Sequence, residues 1–565
     1  MKINDVEKIT GLTQKAIRLY ESKGLISVIR DANGYRNYSD ENVQALESIK
    51  LFRSIGASIS DIKLYLFGVI TIDELVDKCR REILKENGKN SEKYQLCESV
   101  AKHHAPVELK SKESFTENEE IIKDARGRLA VGIDVGTTTV SAVVYDLDSC
   151  ESLEAYSIPH NSRISSYPFS EQRVSLILEK AEKLLFHILD TYKRIVCIGI
   201  TGQMHGIVYV DNKGQAVSEL INWQDGRGDL SLDGGSACQQ IEMLTGEKIH
   251  TGYGIATHYY NVKTDRVPKN AACFCSIMDL LAMKICGVEK PTTHKTIGAS
   301  FGLFDTKNGD FMWEKLEILG IDKSFLPKIC DDNYILGECR GIPVSLAIGD
   351  NQASFLGAVG VSDDALLVNI GTGSQVCAAC DYQEVGGDVE IRPFIGDKYL
   401  ICGSALCGGS AYAMVEEFFR GYLESIGIDA PLQYDTLNRL ATEAHRRGEK
   451  GLDVDTRFLG KRGDSLARGA IREIDIHSFT PSALALGVLK GMCKELCQLY
   501  STFAQKKARI VSSGGAVRKN ALMQTLIEEL FGLPVTVSLA LEEAALGAAI
   551  FSALAIKGDA TDEGN

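Results

Sequence analysis

Two short strand–turn–strand signatures constrain this chain more than anything else in it. The first reads Gly132-Ile133-Asp134-Val135-Gly136-Thr137-Thr138-Thr139 and continues into Val140-Ser141-Ala142-Val143-Val144-Tyr145. The second reads Val368-Asn369-Ile370-Gly371-Thr372-Gly373-Ser374 and continues into Gln375-Val376-Cys377-Ala378-Ala379. In each, an apolar strand meets a Gly-Thr turn and a second strand leads straight out. A backbone with little or no Cβ bulk lets amide N–H groups converge on an anion, and threonine hydroxyls add donors beside them. No Gly-Lys-Ser/Thr follows and no helix starts there, so neither is the helix-opening phosphate loop. One such turn would be only a turn. Two with matched flanks point to a nucleotide clamped between the halves of a duplicated body.

The rest of the chain must accommodate that body. At 565 residues it is too long for one core, and two to four domains are expected. A hydrophobic content of 44% and a mean hydropathy of −0.05 describe an ordinary globular protein. The longest apolar stretch, 544–556, is too short to span a bilayer and reads as a buried helix, so no membrane association is expected. The first eight residues are charged and carry no apolar run, which reads as no secretory signal and a cytoplasmic location. Sixteen cysteines scatter without a framework spacing and read as reduced thiols packed as small apolar groups. Cys377 and Cys380 form a C-x-x-C, but no second pair lies close by and the segment alternates like a strand. Packing is therefore favoured over a redox or metal pair there, and still more for Cys273 with Cys275.

Net charge is −14, which argues against nonspecific coating of nucleic acid, but it is unevenly spread. Residues 1–70 carry ten Lys/Arg against eight Asp/Glu, a balance of +2 that leaves −16 for the remainder. This segment reads as a compact helical module. Asn4 is placed to cap a first helix that Gly11 ends, and Thr13 to cap a second over Gln14–Ser22 with Lys15 and Arg18 outward. Asn33-Gly34 marks a hairpin flanked by Arg and Tyr, and Ser39 begins the next helix. Arg18-x-Tyr20, Gly24-Leu25-Ile26, Asn33-Gly34-Tyr35-Arg36-x-Tyr38 and Gly56-Ala57-Ser58-Ile59 together resemble the MerR-type DNA-binding domain. The resemblance implies a small all-α winged helix-turn-helix fold over 1–70 that binds double-stranded DNA as a homodimer. Gln14, Lys15, Arg18 and Tyr20 would sit at the groove, with Tyr35 and Arg36 on the wing. A dimerisation helix would begin at Ile72, with Leu75, Val76, Cys79 and Ile83 on one face, and a polar linker would complete residues 71–128. Only Cys79 and Cys97 lie near that helix, so metal sensing is not assigned. The bland alternative is a helical module that docks protein or oligomerises.

Residues 129–556 resemble the FGGY carbohydrate kinases in four motifs: the two turns, Gly349-Asp350-Asn351-Gln352, and Ser513-Gly514-Gly515-Ala516-Val517. The resemblance implies an α/β fold of two RNase-H-like domains, the actin-like ATPase arrangement, around a cleft. The first domain is expected over 129–357, the second over 358–556, and a disordered tail over 557–565. ATP and Mg²⁺ are the implied cofactors. Asp350 would be the general base and Asp134 would help hold the metal. Gly136, Thr137, Thr138, Gly371, Thr372 and Gly373 would hold the phosphates, and Gly408, Gly409, Gly514 and Gly515 would line the adenosine pocket. Gln203, Met204, His205 and Asn351 would contact a sugar. Trp223 is either a stacking face for that sugar or core, and Asp225 with Arg227 reads as a local ion pair.

The implied substrate is a ketose phosphorylated on a terminal hydroxyl. Gln203-Met204-His205 also suits xylulokinases. Arg392-Pro393-Phe394, 400–412 and 455–462 look most like the sedoheptulokinase branch, which favours the seven-carbon ketose. A rival of a different class is a transcription regulator whose kinase body only senses sugar. Intact turns and an intact Asp350 favour a bifunctional enzyme over that sensor.

Overall fold

The structure, a computed structural model, describes residues 1–562 apart from 24, 27, 31–35, 67, 88–91, 104–126 and 462–465. Tyr35, the Asn33-Gly34 turn, His104, Glu117–Glu120 and Arg462 therefore lie outside the described residues. The chain divides into two compact units, one of residues 1–128 with 183–194, the other of 129–182 with 195–565.

In the first unit, the opening helix runs Ile3–Thr10, with Lys2 rather than Asn4 at its N-cap. The Lys2 amide donates to the Asp5 carboxylate at 3.3 Å, so the acid three residues on does the capping. Gly11 closes the helix with φ 65°. Thr13 caps Gln14–Ser22 by accepting from the Ala16 amide, and Ser39 caps Asp40–Ser54 by accepting from Asn42. Ile29–Arg30 and Arg36–Asn37 are two short antiparallel strands. Val6, Ile17, Leu46, Ile49, Phe52 and Ile62 form the buried centre.

Leu75, Val76, Cys79 and Ile83 of the helix Ile72–Asn87 are all buried, as their common face predicts. Part of the segment read as linker is helical. Glu92–His103 is a helix with Cys97 and Val100 buried, because those two residues give it an apolar side that the surrounding charge conceals.

The second unit repeats one plan twice. In the first half, three antiparallel strands, Glu151–Pro159, Thr139–Asp146 and Leu129–Val135, continue into the parallel strand Ile195–Gly202 and then Ile342–Ser345. In the second half, Tyr399–Ala405, Ser374–Cys380 and Ala365–Ile370 are antiparallel and continue into parallel Arg509–Ser513 and Val535–Val537. Each Gly-Thr turn joins the equivalent strand pair of its half. The alternating apolar residues of those strands are almost all buried, as a sheet covered on both faces requires.

The last helix, Glu543–Asp562, packs on the first half's sheet and crosses the helix Asp350–Val359. It continues through Asp562, where a disordered tail from 557 is expected. Glycine makes this contact possible. A Cβ on Gly132 or Gly199 would lie 1.7 or 1.9 Å from the carbonyl oxygen of Ala545 or Ala548. Gly357 and Gly547 likewise admit each other's helix backbone. The first glycine of the opening motif thus seats a helix.

Candidate active site

Strand register brings the two key acids together. Asp134 and Ile348 both pair with Thr201, from opposite sides of the strand Ile195–Gly202. Asp350, two residues after Ile348, is the first residue of the helix Asp350–Val359, where the dipole favours a carboxylate. Burial holds the Asp134 carboxyl up at about 7, with the charges of Asp350 and Glu542 adding to the effect. Burial likewise lifts Asp350 to about 6, against the Arg392 charge and the backbone N–H groups at the helix start. Asn351 donates to Asp350 Oδ1 at 3.2 Å. Two crowded carboxyls that resist ionisation are a hard-oxygen donor set. A Mg²⁺ held with the help of Asp134 would relieve that repulsion, so this hard-oxygen chemistry fits the ion.

The first turn is fixed by side chains. Gln172 Nε2 donates to the Thr137 carbonyl at 2.7 Å, and Gln203 Nε2 to the Gly136 carbonyl at 3.2 Å. His160 Nε2 lies 3.1 Å from the same Gly136 carbonyl, and burial lowers its pKa, so it donates as a neutral ring. Trp223 is neither core nor remote. It is 46% exposed, and its indole N–H donates to Thr137 Oγ1 at 3.0 Å. Its loop is anchored by Arg227, which is buried and bonded to Asp225, Glu171 and Asn261, so the ion pair expected there is present. Thr138 is exposed at the turn.

The second turn is fixed by backbone. Gly408 and Ser410 N–H groups donate to the Thr372 carbonyl at 3.0 and 3.1 Å, and Gly409 N–H to the Gly371 carbonyl at 2.8 Å. A Cβ on Gly408 would lie 2.4 Å from the Gly373 oxygen, and one on Gly409 2.7 Å from the Gly371 oxygen. These glycines press the helix Gly409–Ser425 against the turn. Thr372 is exposed at its tip. Gly514, at φ 92°, passes the Ile370 carbonyl just beneath the turn, and Gly515 has open space around it.

Gln203, Met204 and His205 follow directly on the strand Ile195–Gly202. Gln203 is buried, and its Oε1 has no hydrogen-bond partner. Met204 is 3% exposed with its sulfur packed beneath Gly349, so it supports the strand before Asp350. His205 adopts φ 72°, a conformation uncommon for a residue with a side chain. Its Nδ1 donates to the Ser300 carbonyl at 2.8 Å, and its ring stacks on Tyr253 at 4.3 Å between centroids. Ser300, Tyr253, Gln172 and His160 carried no sequence signal, since each lies in an unremarkable loop, helix or two-residue strand.

One hairpin of the second half reaches the first. Gln352 Nε2 donates to the Pro393 carbonyl, and the Gly396 amide to Asp332. Asp332 also meets His294 Nε2 at 2.6 Å, His294 Nδ1 meets Thr296 Oγ1, and that hydroxyl accepts from the Gly349 amide. The hairpin is thereby linked to the residue before Asp350.

Elsewhere the structure redistributes expectations. Cys377 and Cys380 pack into different clusters, on opposite faces of their strand. All sixteen cysteines are free thiols. Asp455, Arg457 and Lys461 line a separate cavity of about 450 Å³ that includes neither Asp350 nor either turn. In the N-terminal unit, Lys15 and Arg18 are exposed, whereas Tyr20 is buried at 8% and belongs to that unit's core. Gln14 bonds Asn4 and Glu7, and Arg36 pairs with Glu21 at 2.6 Å. No helix among the described residues is long and apolar enough to cross a membrane.

Residues 129–357 match the N-terminal domain of the FGGY family of carbohydrate kinases, and residues 367–556 match its C-terminal domain. The chain belongs to that family. Residues 1–67 match the MerR HTH family of regulatory proteins. The sedoheptulokinase of Mus musculus is 26% identical over 476 residues, covering 75% of this chain and 96% of that protein. The xylulose kinase of Staphylococcus xylosus is 23% identical, covering 75% and 90%. Among solved structures, gluconate kinase from Lactobacillus acidophilus aligns with TM-score 0.65 at 20% identity, over 76% of this chain and 89% of its own. Xylulose kinase from the same organism aligns with TM-score 0.64 at 21% identity, over 76% and 90%. The kinase body is thus an FGGY sugar kinase in fold and family.

Proposed function

We propose that the kinase body transfers the γ-phosphoryl group of ATP to the terminal hydroxyl of a ketose, with sedoheptulose the favoured acceptor. The observation that carries this reading is the placement of Asp350 and Asp134 on either side of one strand, at the mouth of the first turn. Asp350 accepts the hydroxyl proton as the new P–O bond forms, worth ~10²–10⁴-fold in rate. Its pKa near 6 leaves it ionised at neutral pH yet basic enough to take that proton. The exposed Thr138 and Thr372 offer hydroxyls to the phosphates from the two halves. Asp134 would help hold Mg²⁺, which would supply charge neutralisation of the phosphates. Identities of 26% and 25% with the mammalian sedoheptulokinases, against 23% with the xylulose kinase, support the seven-carbon ketose over a pentulose. An ADP-release panel with sedoheptulose, xylulose, ribulose and glycerol tests this, with Asp350→Ala as control. Sedoheptulose is expected to give the highest kcat/KM and the variant to lose at least about 10²-fold. A preference for xylulose would reassign the acceptor.

The N-terminal unit is proposed to bind duplex DNA as a homodimer through the exposed Lys15 and Arg18, at low salt where phosphate contacts count most. Arg18→Ala is expected to weaken a gel shift and leave kinase rate unchanged. An unaltered shift would favour a protein-docking role.

A further inference from the structure

Arg392 has an unusual position for a residue without an assigned task. It lies on the strand Val389–Pro393 of the second half, on the hairpin that reaches the first half through Pro393 and Gly396. The residue is 9% exposed, and Nη1 is buried with no hydrogen-bond partner. Nε and Nη2 both donate to one oxygen of Glu390, at 3.2 and 2.7 Å. A buried guanidinium ordinarily satisfies all its donors, and an orphaned one marks a place for a missing acceptor. Its surroundings say which acceptor. The neighbouring Pro393 carbonyl accepts from Gln352, two residues after Asp350, the guanidinium's charge acts on the Asp350 carboxyl, and Tyr253, which carries the His205 ring stacked upon it, lies near enough to act on the guanidinium.

We infer that Arg392 is a sugar-binding residue of the acceptor site, its Nη1 donating to an oxygen of the bound sugar close to the one that is phosphorylated. This inference rests on the kinase reading above and adds the residue that selects the acceptor. Glu390 already neutralises the guanidinium, so what remains is a pair of directed N–H donors with little net positive field. Asp350 alongside repels a second anion. The combination suits a neutral hydroxyl or carbonyl oxygen and disfavours a sugar acid. Because the donor comes from the second half, acceptor affinity depends on the hairpin that bridges to Asp332 and Gln352.

Arg392→Gln and Arg392→Lys test the assignment, each checked first for an unchanged melting temperature. Sugar affinity is read by calorimetric titration of sedoheptulose without nucleotide, and by the KM for sugar and for ATP in ADP release. Arg392→Gln is expected to weaken sugar affinity about 10–100-fold and leave the KM for ATP within about twofold. Arg392→Lys retains a donor and is expected to fall between. If Arg392 only tuned Asp350, the acid limb of kcat would move while sugar affinity stayed constant, and that result overturns the proposal. Should neither variant hold its fold, Glu390→Gln in place of both is expected to improve binding of gluconate, and unchanged gluconate binding counts against the assignment. Failure of the unaltered protein to phosphorylate any ketose would instead sink the kinase reading itself.

Discussion

The two Gly-Thr turns share a sequence pattern and a place in the fold, yet they are made rigid by different means. Around Gly136–Thr138 the work is done by side chains, from Gln172, His160, Gln203 and Trp223, each donating to the turn. Around Gly371–Gly373 it is done by the backbone of a helix start, admitted by two glycines. The difference follows the neighbouring chemistry. The first turn adjoins Asp134 and the residues proposed to meet the sugar. The second is held by a compact backbone seat. Duplication preserved the hairpin and left each half to find its own reinforcement.

Of substitutions at the two turns, the steric one on the second is expected to have the larger effect. Gly409→Val places side-chain atoms where the Gly371 carbonyl sits, and overpacking of this kind costs about 1–3 kcal/mol or more. The KM for ATP should rise at least about tenfold, with acceptor affinity little changed. Gln172→Ala on the first turn should do less, about three- to tenfold in kcat/KM, because His160, Gln203 and Trp223 remain. Steady-state kinetics with both substrates varied separates the two. Equal effects of the two substitutions would erase the contrast drawn between the turns.

The acids give pH effects with a definite sign. In the folded protein the carboxyl of Asp134 titrates near 7, above its ordinary value, so protonation favours the fold. Its contribution to stability is fully present below about pH 4 and is lost as pH rises through 7. Asp134→Asn, in chelator, is therefore expected to raise the melting temperature at pH 8 by about 1–3 °C, with a smaller gain at pH 5. Calorimetry at the two pH values checks this, and a larger gain at pH 5 would contradict the assigned cause. For catalysis the sign is opposite. Asp350 must be ionised to accept a proton, so kcat/KM for sugar should fall about tenfold per unit below pH 6.

Much of this was legible before the fold was known. The duplicated strand–turn–strand pattern implied two matched sheets, and Gly349-Asp350 after an apolar run placed the carboxylate at a strand end. The capping of the early helices by Thr13 and Ser39 was also readable, because the local donor and acceptor lie within three residues. What remained hidden depends on long-range contact. Nothing in Glu171-Gln172 announces that Gln172 reaches Thr137, and nothing in Ser300 announces His205. Tyr20 followed the family pattern yet is buried, since tertiary packing decides which face of a short helix is outward. Arg392 was visible only as part of a resemblance. Its unpartnered Nη1 exists only in three dimensions.

The most direct measurement is the identity of the phosphorylated oxygen. Sedoheptulose, ATP and Mg²⁺ incubated with the protein should yield one sugar phosphate, whose phosphorus correlates by NMR with the protons of a terminal CH₂. A phosphorus coupled to a ring carbon proton would contradict the account. So would ADP that accumulates with free phosphate alone, because water would then be the acceptor and the placement of Asp350 would serve no sugar.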